Sequence, residues 1–238
     1  MPTPESGLIE RMSASRAYQE LEKVALQPYA DSVGLPDDYK LVMKQGMYGA
    51  PGLDCTLALG KEAPEEGMFL LGCFERRWFP LAVLGFKIEE RGYHIRQNQG
   101  INFGASYLKQ EGYISHDNIE ATVKTHLPKR WMRKIVAANM LLSKIIGCEE
   151  TTVLPAHQKF SYNNPFPLRG TLEEHQRRMR ALLDGVASDM KFVYDAEREL
   201  YVFDNSREIP LERCLTPDER QQHRNRTETA VLHIEKAV

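Results

Sequence analysis

The sequence predicts an α/β protein of the α+β kind, one mixed sheet with flanking helices, and three observations predict it. Between residues 55 and 97, short apolar runs alternate with short polar turns, the pattern of an antiparallel meander. Beyond residue 115 the apolar period changes from two to about 3.6, the period of amphipathic helices. A short β-branched run, a second helix and a hairpin then follow, so helices and strands alternate in the second half of the chain.

From the N-terminus, Leu8, Met12, Leu21 and Val24 recur near helical spacing, which predicts a helix over residues 7–26. Pro28, Gly34 and Pro36-Asp37-Asp38 mark a loop or a short second helix. Residues 46–52 hold three glycines and a proline, but neither a Walker lysine nor a G-x-G-x-x-G pattern. They read as a connection. Strand-like runs follow at Cys55–Gly60, Met68–Glu75, Phe79–Ile88 and Tyr93–Gln97, with Pro80 suited to a strand start or an edge.

Ser115 is a candidate N-cap ahead of Ile119 and Val123, and Pro128 either begins a new helix or kinks that one. Trp131, Ile135, Ala138, Leu142 and Ile145 form an apolar stripe that Gly147 is suited to stop. Thr151–Leu154 is a strand ended by Pro155. Thr171-Leu172-Glu173-Glu174 is a capping box that opens a helix containing Met179, Leu182, Leu183 and Val186. Lys191–Tyr194 and Leu200–Phe203 form a hairpin. Thr216-Pro217-Asp218-Glu219 is a second capping box, with a helix expected to run toward Ala237. Residues 1–205 are therefore expected as a single domain with an N-terminal helix. Residues 206–238 are expected as a helical appendage packed on it.

Composition narrows the function classes. The 238 residues are 42% hydrophobic and 27% charged, the balance of an ordinary globular chain long enough to bury a core. No apolar run is long enough to span a bilayer or to serve as a signal segment, so the expected location is cytoplasmic. Cys55, Cys73, Cys148 and Cys214 lie far apart, in neither a disulfide framework nor a zinc pattern. The seven histidines lack metal-ligand spacing, and there is no G-x-S-x-G elbow. No metal is expected. A net charge of −2 favours neither nucleic acid nor an acidic membrane. The basic clusters around Lys129–Lys134, Arg177–Arg180 and Arg220–Arg226 nevertheless keep a nucleic-acid-binding or -modifying protein as a third reading.

Several residues carry candidate chemistry. His157 follows the strand Thr151–Leu154, where ligand groups collect in α/β sheets, and its imidazole is suited to take a proton near neutral pH. The plain alternative is a loop histidine holding a carbonyl. Gln97, Gln99 and Asn102 are amides able to orient a pantetheine or substrate amide, or to satisfy an irregular loop. Lys129, Arg130, Arg133 and Lys134 sit on the first turns of a helix, where cations oppose the helix dipole. That placement suits a docked anion such as a CoA phosphate or an acidic carrier protein. A kink at Pro128 inside a longer helix would remove the argument.

The order of meander, helix, strand, helix and hairpin over Cys55 to Phe203 resembles the GNAT acyltransferase fold. That family holds the pyrophosphate of acyl-CoA with Gln/Arg-x-x-Gly-x-Gly/Ala at a helix start. Gln97-Asn98-Gln99-Gly100-Ile101-Asn102 is similar, with Asn102 where a small residue belongs and Gly104-Ala105 following out of register. The resemblance implies an acyltransferase moving an acyl group from a CoA or carrier thioester to an amine, on a small molecule or a protein. Gln97, Gln99, Gly100, Asn102 and Gly104 would hold the donor, with Lys129 and Arg130 beside them. His157 would be the base and Tyr162 the acid. The alternative for Tyr162 is an aromatic closing the edge of the core.

Other residues resemble the VirK family of bacterial proteins, associated with virulence and stress at the envelope. They are Ile95-Arg96-Gln97-Asn98-Gln99-Gly100, Lys124 followed by Pro128-Lys129-Arg130, His157 after a strand, and Arg224-Asn225-Arg226. Leu127 stands where that family has glycine. This resemblance implies a non-catalytic protein acting through a bound partner.

Overall fold

The computed structural model describes residues 19, 21, 23–45, 55–62, 78–89, 92–100, 126–164 and 170–221. Its strands are β1 (Tyr39–Gln45), β2 (Cys55–Glu62), β3 (Trp78–Glu89), β4 (Gly92–Gly100), β5 (Glu150–Val153), β6 (Val193–Asp195) and β7 (Leu200–Asp204). Its helices are α1 (Gln27–Ser32), α2 (Trp131–Ile145), α3 (Phe160–Asn163) and α4 (Leu172–Asp189). The strands form one seven-stranded mixed sheet in the order β1-β2-β3-β4-β5-β7-β6. Every neighbouring pair is antiparallel except β4 and β5, which run parallel at the centre.

The meander is present, with one strand more at its start. Tyr39, Leu41 and Met43 alternate with Lys40 and Lys44, a two-residue period that fits β1 and was legible. The expected strand Met68–Glu75 lies outside the described residues, and β2 pairs directly with β3. Pro80 occupies the third position of β3 and pairs with Gly60 beside a register shift in β2. Pairing of β3 with β4 begins only at Ala82, so the missing Pro80 N–H interrupts no ladder on that side.

α2 buries ten of its fifteen residues, so most of its surface faces the core. Ile145, expected in its stripe, is half exposed at the helix end. Gly147 takes φ +77° just beyond the cap, a left-handed conformation that glycine adopts without strain. Three polar residues on α2 are buried, and each is satisfied. Asn139 accepts from the Tyr93 hydroxyl at 2.6 Å and donates to the Ile135 carbonyl at 2.8 Å. Ser143 accepts from Asn205 at 2.7 Å. Lys134 donates to the carbonyls of Val33 and Gly34 and to Glu219.

α4 opens with the expected capping box, Thr171 and Glu174 bonding each other's backbone. The hairpin of β6 and β7 follows. After Asn205 the chain returns to the core, burying Ile209, Cys214 and Leu215. The Thr216 capping box also forms, with Glu219 donating its N–H to Thr216 and accepting from the Thr216 N–H. A helix starts there over residues 217–221, and its continuation lies outside the described residues. Of the helix expected over residues 7–26, residues 19 and 21 are helical, residues 23–26 are turn and bend, and the rest lies outside the described residues, as does the helix expected after Ser115.

Candidate functional site

The two parallel strands at the centre of the sheet part company at a point set by local sequence. β4 and β5 pair from Gly92↔Glu150 to Ile95↔Val153. Leu154 then donates to the Ile95 carbonyl at 3.4 Å, and Pro155, with no N–H, cannot extend the ladder. β4 continues to Gly100, so Arg96–Gly100 run beyond the end of β5. On its other side β4 bulges at the same place. Phe86 pairs with Ile95 and Gly85 with Gln97, which leaves Arg96 as the extra residue.

A small apolar cavity of about 10 Å³, room for about one water, lies under this parting. Ile95 of β4 and Val153 of β5 form one wall, Met132 and Val136 of α2 a second, and Leu183, Val186 and Ala187 of α4 a third. Lys159 enters it from the segment after β5. The Lys159 ammonium donates to the Arg96 carbonyl, so a side chain from beyond β5 reaches across to the bulge of β4. Burial, with the nearby positive charge of Arg96 adding to it, lowers the Lys159 pKa to about 7.

The segment carrying Lys159 is held on several sides. Pro155 leads into a 3-10 turn, Ala156–Gln158, and then α3. The Ala156 N–H donates to Asp184 of α4 at 2.9 Å. The Gln158 amide donates to the Glu199 carbonyl at 2.7 Å. His175 lies 2.7 Å from the Ser161 carbonyl, and Gln176 donates to Asn163 at 3.0 Å. Such ties fix the position of a side chain before any ligand arrives.

None of the site residues expected from sequence is among the described residues that line this cavity. His157 is on the 3-10 turn, exposed, and is not part of the cavity lining. Tyr162 is in α3, one turn beyond Lys159, and is only 4% exposed. Its hydroxyl is buried with no hydrogen-bond partner among the described residues, and the Arg180 guanidinium stands 5.4 Å from its ring centroid. Gln97, Gln99 and Gly100 are strand residues paired with Gly85, Val83 and Ala82. This corrects the expected pyrophosphate cradle: the first four residues of Gln97-Asn98-Gln99-Gly100-Ile101-Asn102 form a ladder with β3, where their backbone cannot wrap a phosphate. Asn102 and Gly104 lie outside the described residues.

The basic helix start is also corrected. Arg130 caps α2 in the left-handed conformation, φ 58°, and its guanidinium donates to the carbonyls of Leu215 at 2.7 Å and Arg213 at 3.2 Å. Arg133 pairs with Asp189 of α4. Lys134 is fully buried. Those three cations tie α2 to its neighbours, which leaves Lys129 as the exposed member of the group. The spacing that suggested an anion site arises from α2 being buried among carbonyls and carboxylates. Pro128 lies between helical His126 and α2, and not within a continuous helix.

Lys159 was missed in the sequence because a lone lysine after a strand looks like a solvated side chain. The available signal was its place, four residues after Pro155 and between Gln158 and Phe160, in a segment too short to swing free.

Other titrating groups near β4 serve the sheet. Glu89 gathers Lys87, His94 and Arg96, and the hydrogen bond from Lys87 leads in holding its carboxyl below the usual range. His94 is buried, 2.8 Å from the Thr152 hydroxyl, and burial lowers its pKa. Among the described residues no group of three or more His, Cys, Asp or Glu is placed to hold a metal ion. No helix among them is long and apolar enough to cross a membrane. The sequence matches no protein-family model and no curated protein.

Proposed function

We propose that the protein is an acyltransferase that takes its acyl group from a pantetheine thioester, either CoA or an acyl carrier, and passes it to an amine. The observation that carries this reading is the parting of β4 and β5 at the Arg96 bulge, over a small apolar cavity. In open sheets with parallel strands, ligands bind beyond the strands' carboxyl ends. Among the described residues no strand pairs with β4 past the end of β5, so this stretch offers main-chain groups to an extended ligand, as a sheet edge does to an added strand. A pantetheine arm suits that edge because it is extended and carries two amides. Sheet order supports the same reading, since a meander joined through a parallel pair to a closing hairpin is the arrangement that resembles GNAT acyltransferases.

Tyr162 lies outside the cavity lining, as His157 does, and its buried hydroxyl has the chemistry to return a proton to a departing thiolate. A buried hydroxyl without a partner is uncommon, and a bound sulfur or water would satisfy it.

Thermal unfolding with acetyl-CoA and with an acyl-carrier thioester tests the reading. Saturation at about a hundredfold over Kd stabilises by about 2.7 kcal/mol, a Tm rise of about 5–10 °C at this size. A flat response to both thioesters would overturn the proposal in favour of a partner-binding protein of the VirK type.

A further inference from the structure

His94 stands on β4, opposite Thr152 of β5 and Lys87 of β3, one residue before the last pair of the parallel ladder. It is 8% exposed and Thr152 is 2% exposed. Its Nδ1 lies 2.8 Å from the Thr152 hydroxyl, a side-chain hydrogen bond across the parallel pair. The Nε2 end rests on Gly92, where a Cβ would come within 2.6 Å of the ring nitrogen. Charged groups face the ring from each neighbouring element. β3 supplies Lys87 and Glu89, β4 Arg96, β5 Glu150, and the turn after β6 Arg198, which Asp195 of β6 holds through its N–H. Both carboxylates beside the ring are engaged already. Glu89 pairs with Lys87 and, at 3.9 Å, with Arg96, and Glu150 takes two bonds from Arg198.

This setting suits a neutral imidazole. The tautomer that donates from Nδ1 to Thr152 leaves no proton on Nε2 to place. A second proton would sit on Nε2, 3.8 Å from Glu89 and so beyond hydrogen-bond reach of it. It would also add a cation to Lys87, Arg96 and Arg198, whose charges already exceed those of Glu89 and Glu150. Burial, with Arg96 adding to it, accordingly lowers the His94 pKa against the pull of the two carboxylates. We propose that His94 is a proton-operated tie between β4 and β5: neutral, it holds the pair together up to the parting, and protonated, it loosens that pair. The device acts whatever ligand the strand edge beyond it takes. The open pair binds the proton more readily than the closed one, so opening is favoured as pH falls below about 6.5, the ordinary histidine value. Hydrogen bonds from Lys87 and Arg198 lead in holding Glu89 and Glu150 below the usual carboxylate range, so both stay charged across that window.

Amide hydrogen exchange of the whole chain at about pH 7.5 and about pH 5.5, corrected for intrinsic rates, tests this. The Leu154 N–H, which donates to the Ile95 carbonyl at the parting, is expected to show an opening constant about three- to tenfold larger at the lower pH. Amides of the β2–β3 ladder are expected to keep their protection. In His94→Asn, whose amide reaches the Nδ1 position but does not titrate, opening at Leu154 should be the same at both pH values. A wild-type opening constant that ignores pH, a rise shared equally by β2–β3, or a His94→Asn protein with the wild-type pH response would each overturn the proposal. A second measurement needs no variant to fold. NMR titration of the wild-type imidazoles is expected to place His94 below the ordinary value of about 6.5. A value above it would mean that the proton tightens the tie, and the proposal would fall.

Discussion

The Lys134 ammonium, fully buried beneath α1 and α2, lies 3.0 Å from the Glu219 carboxylate, across 85 residues of sequence. It also donates to the carbonyls of Val33 at 2.9 Å and Gly34 at 2.8 Å. One side chain thus joins the turn after α1, the first turn of α2 and the helix start that follows Thr216.

Glu219→Ala is therefore expected to destabilise the fold by about 3 kcal/mol, the lower end for a broken buried pair because Glu219 is partly exposed. The loss should shrink as pH rises. Burial lowers the Lys134 pKa while Glu219 opposes it, so removing Glu219 lowers it further. Between the folded and unfolded values the unfolded chain then holds more protons, and stability climbs with pH. Urea denaturation of both proteins at pH 7 and pH 9 measures this.

Asn205 is a second junction. It accepts from Thr151 at 2.9 Å and donates to Ser143 at 2.7 Å and to the Cys148 carbonyl at 2.9 Å, all buried. Asn205→Ala leaves these groups without their partner and is expected to cost about 2–3 kcal/mol. Asn205→Asp should be no better, since a carboxylate cannot donate to the Cys148 carbonyl. Chemical denaturation of the two variants checks both statements.

Tyr162→Phe separates stability from activity. The buried hydroxyl has no partner among the described residues, so its loss is expected to leave stability unchanged or to raise it by up to about 1 kcal/mol. If Tyr162 protonates the leaving thiolate, thiol release falls about a hundredfold in the same protein. A variant that is less stable and equally active would show the hydroxyl to be structural.

Lys159 also imposes a pH dependence on folding. Its folded pKa of about 7 lies below the unfolded value of a lysine, so above pH 7 the unfolded chain binds the extra proton. Stability contributed by this group rises with pH from about 7 to 9, with a limiting slope of about 1.4 kcal/mol per pH unit. The difference between wild type and Lys159→Met in urea midpoints across that range should show this rise. An equal slope in both proteins would mean that Lys159 stays charged in the folded state.

Thr171→Ala removes the side chain that accepts from the Glu174 N–H at 3.2 Å. Loss of this cap is expected to cost about 1 kcal/mol, or about 2–4 °C in Tm.

Much of the secondary structure was determined by the sequence alone, because its signals are local. The Thr171 and Thr216 capping boxes, the stop at Gly147, the strand ended by Pro155 and the closing hairpin each depend on neighbours within a few residues. Period-two and helical patterns likewise sufficed for the α+β class. The centre of the sheet was decided only by tertiary structure. Pro155 announces the end of β5, but nothing in the sequence says that β4 passes beside it and bulges at Arg96. The roles of charged residues were also beyond local reading. Arg130, Arg133 and Lys134 look like a solvated basic face until α2 is enclosed by α1, α4 and the segment after Asn205. Lys159 looks like one more surface lysine until the cavity closes around it. The physical reason is common to both: a lysine's state depends on the water and charge around its nitrogen, and distant segments of the chain supply those surroundings.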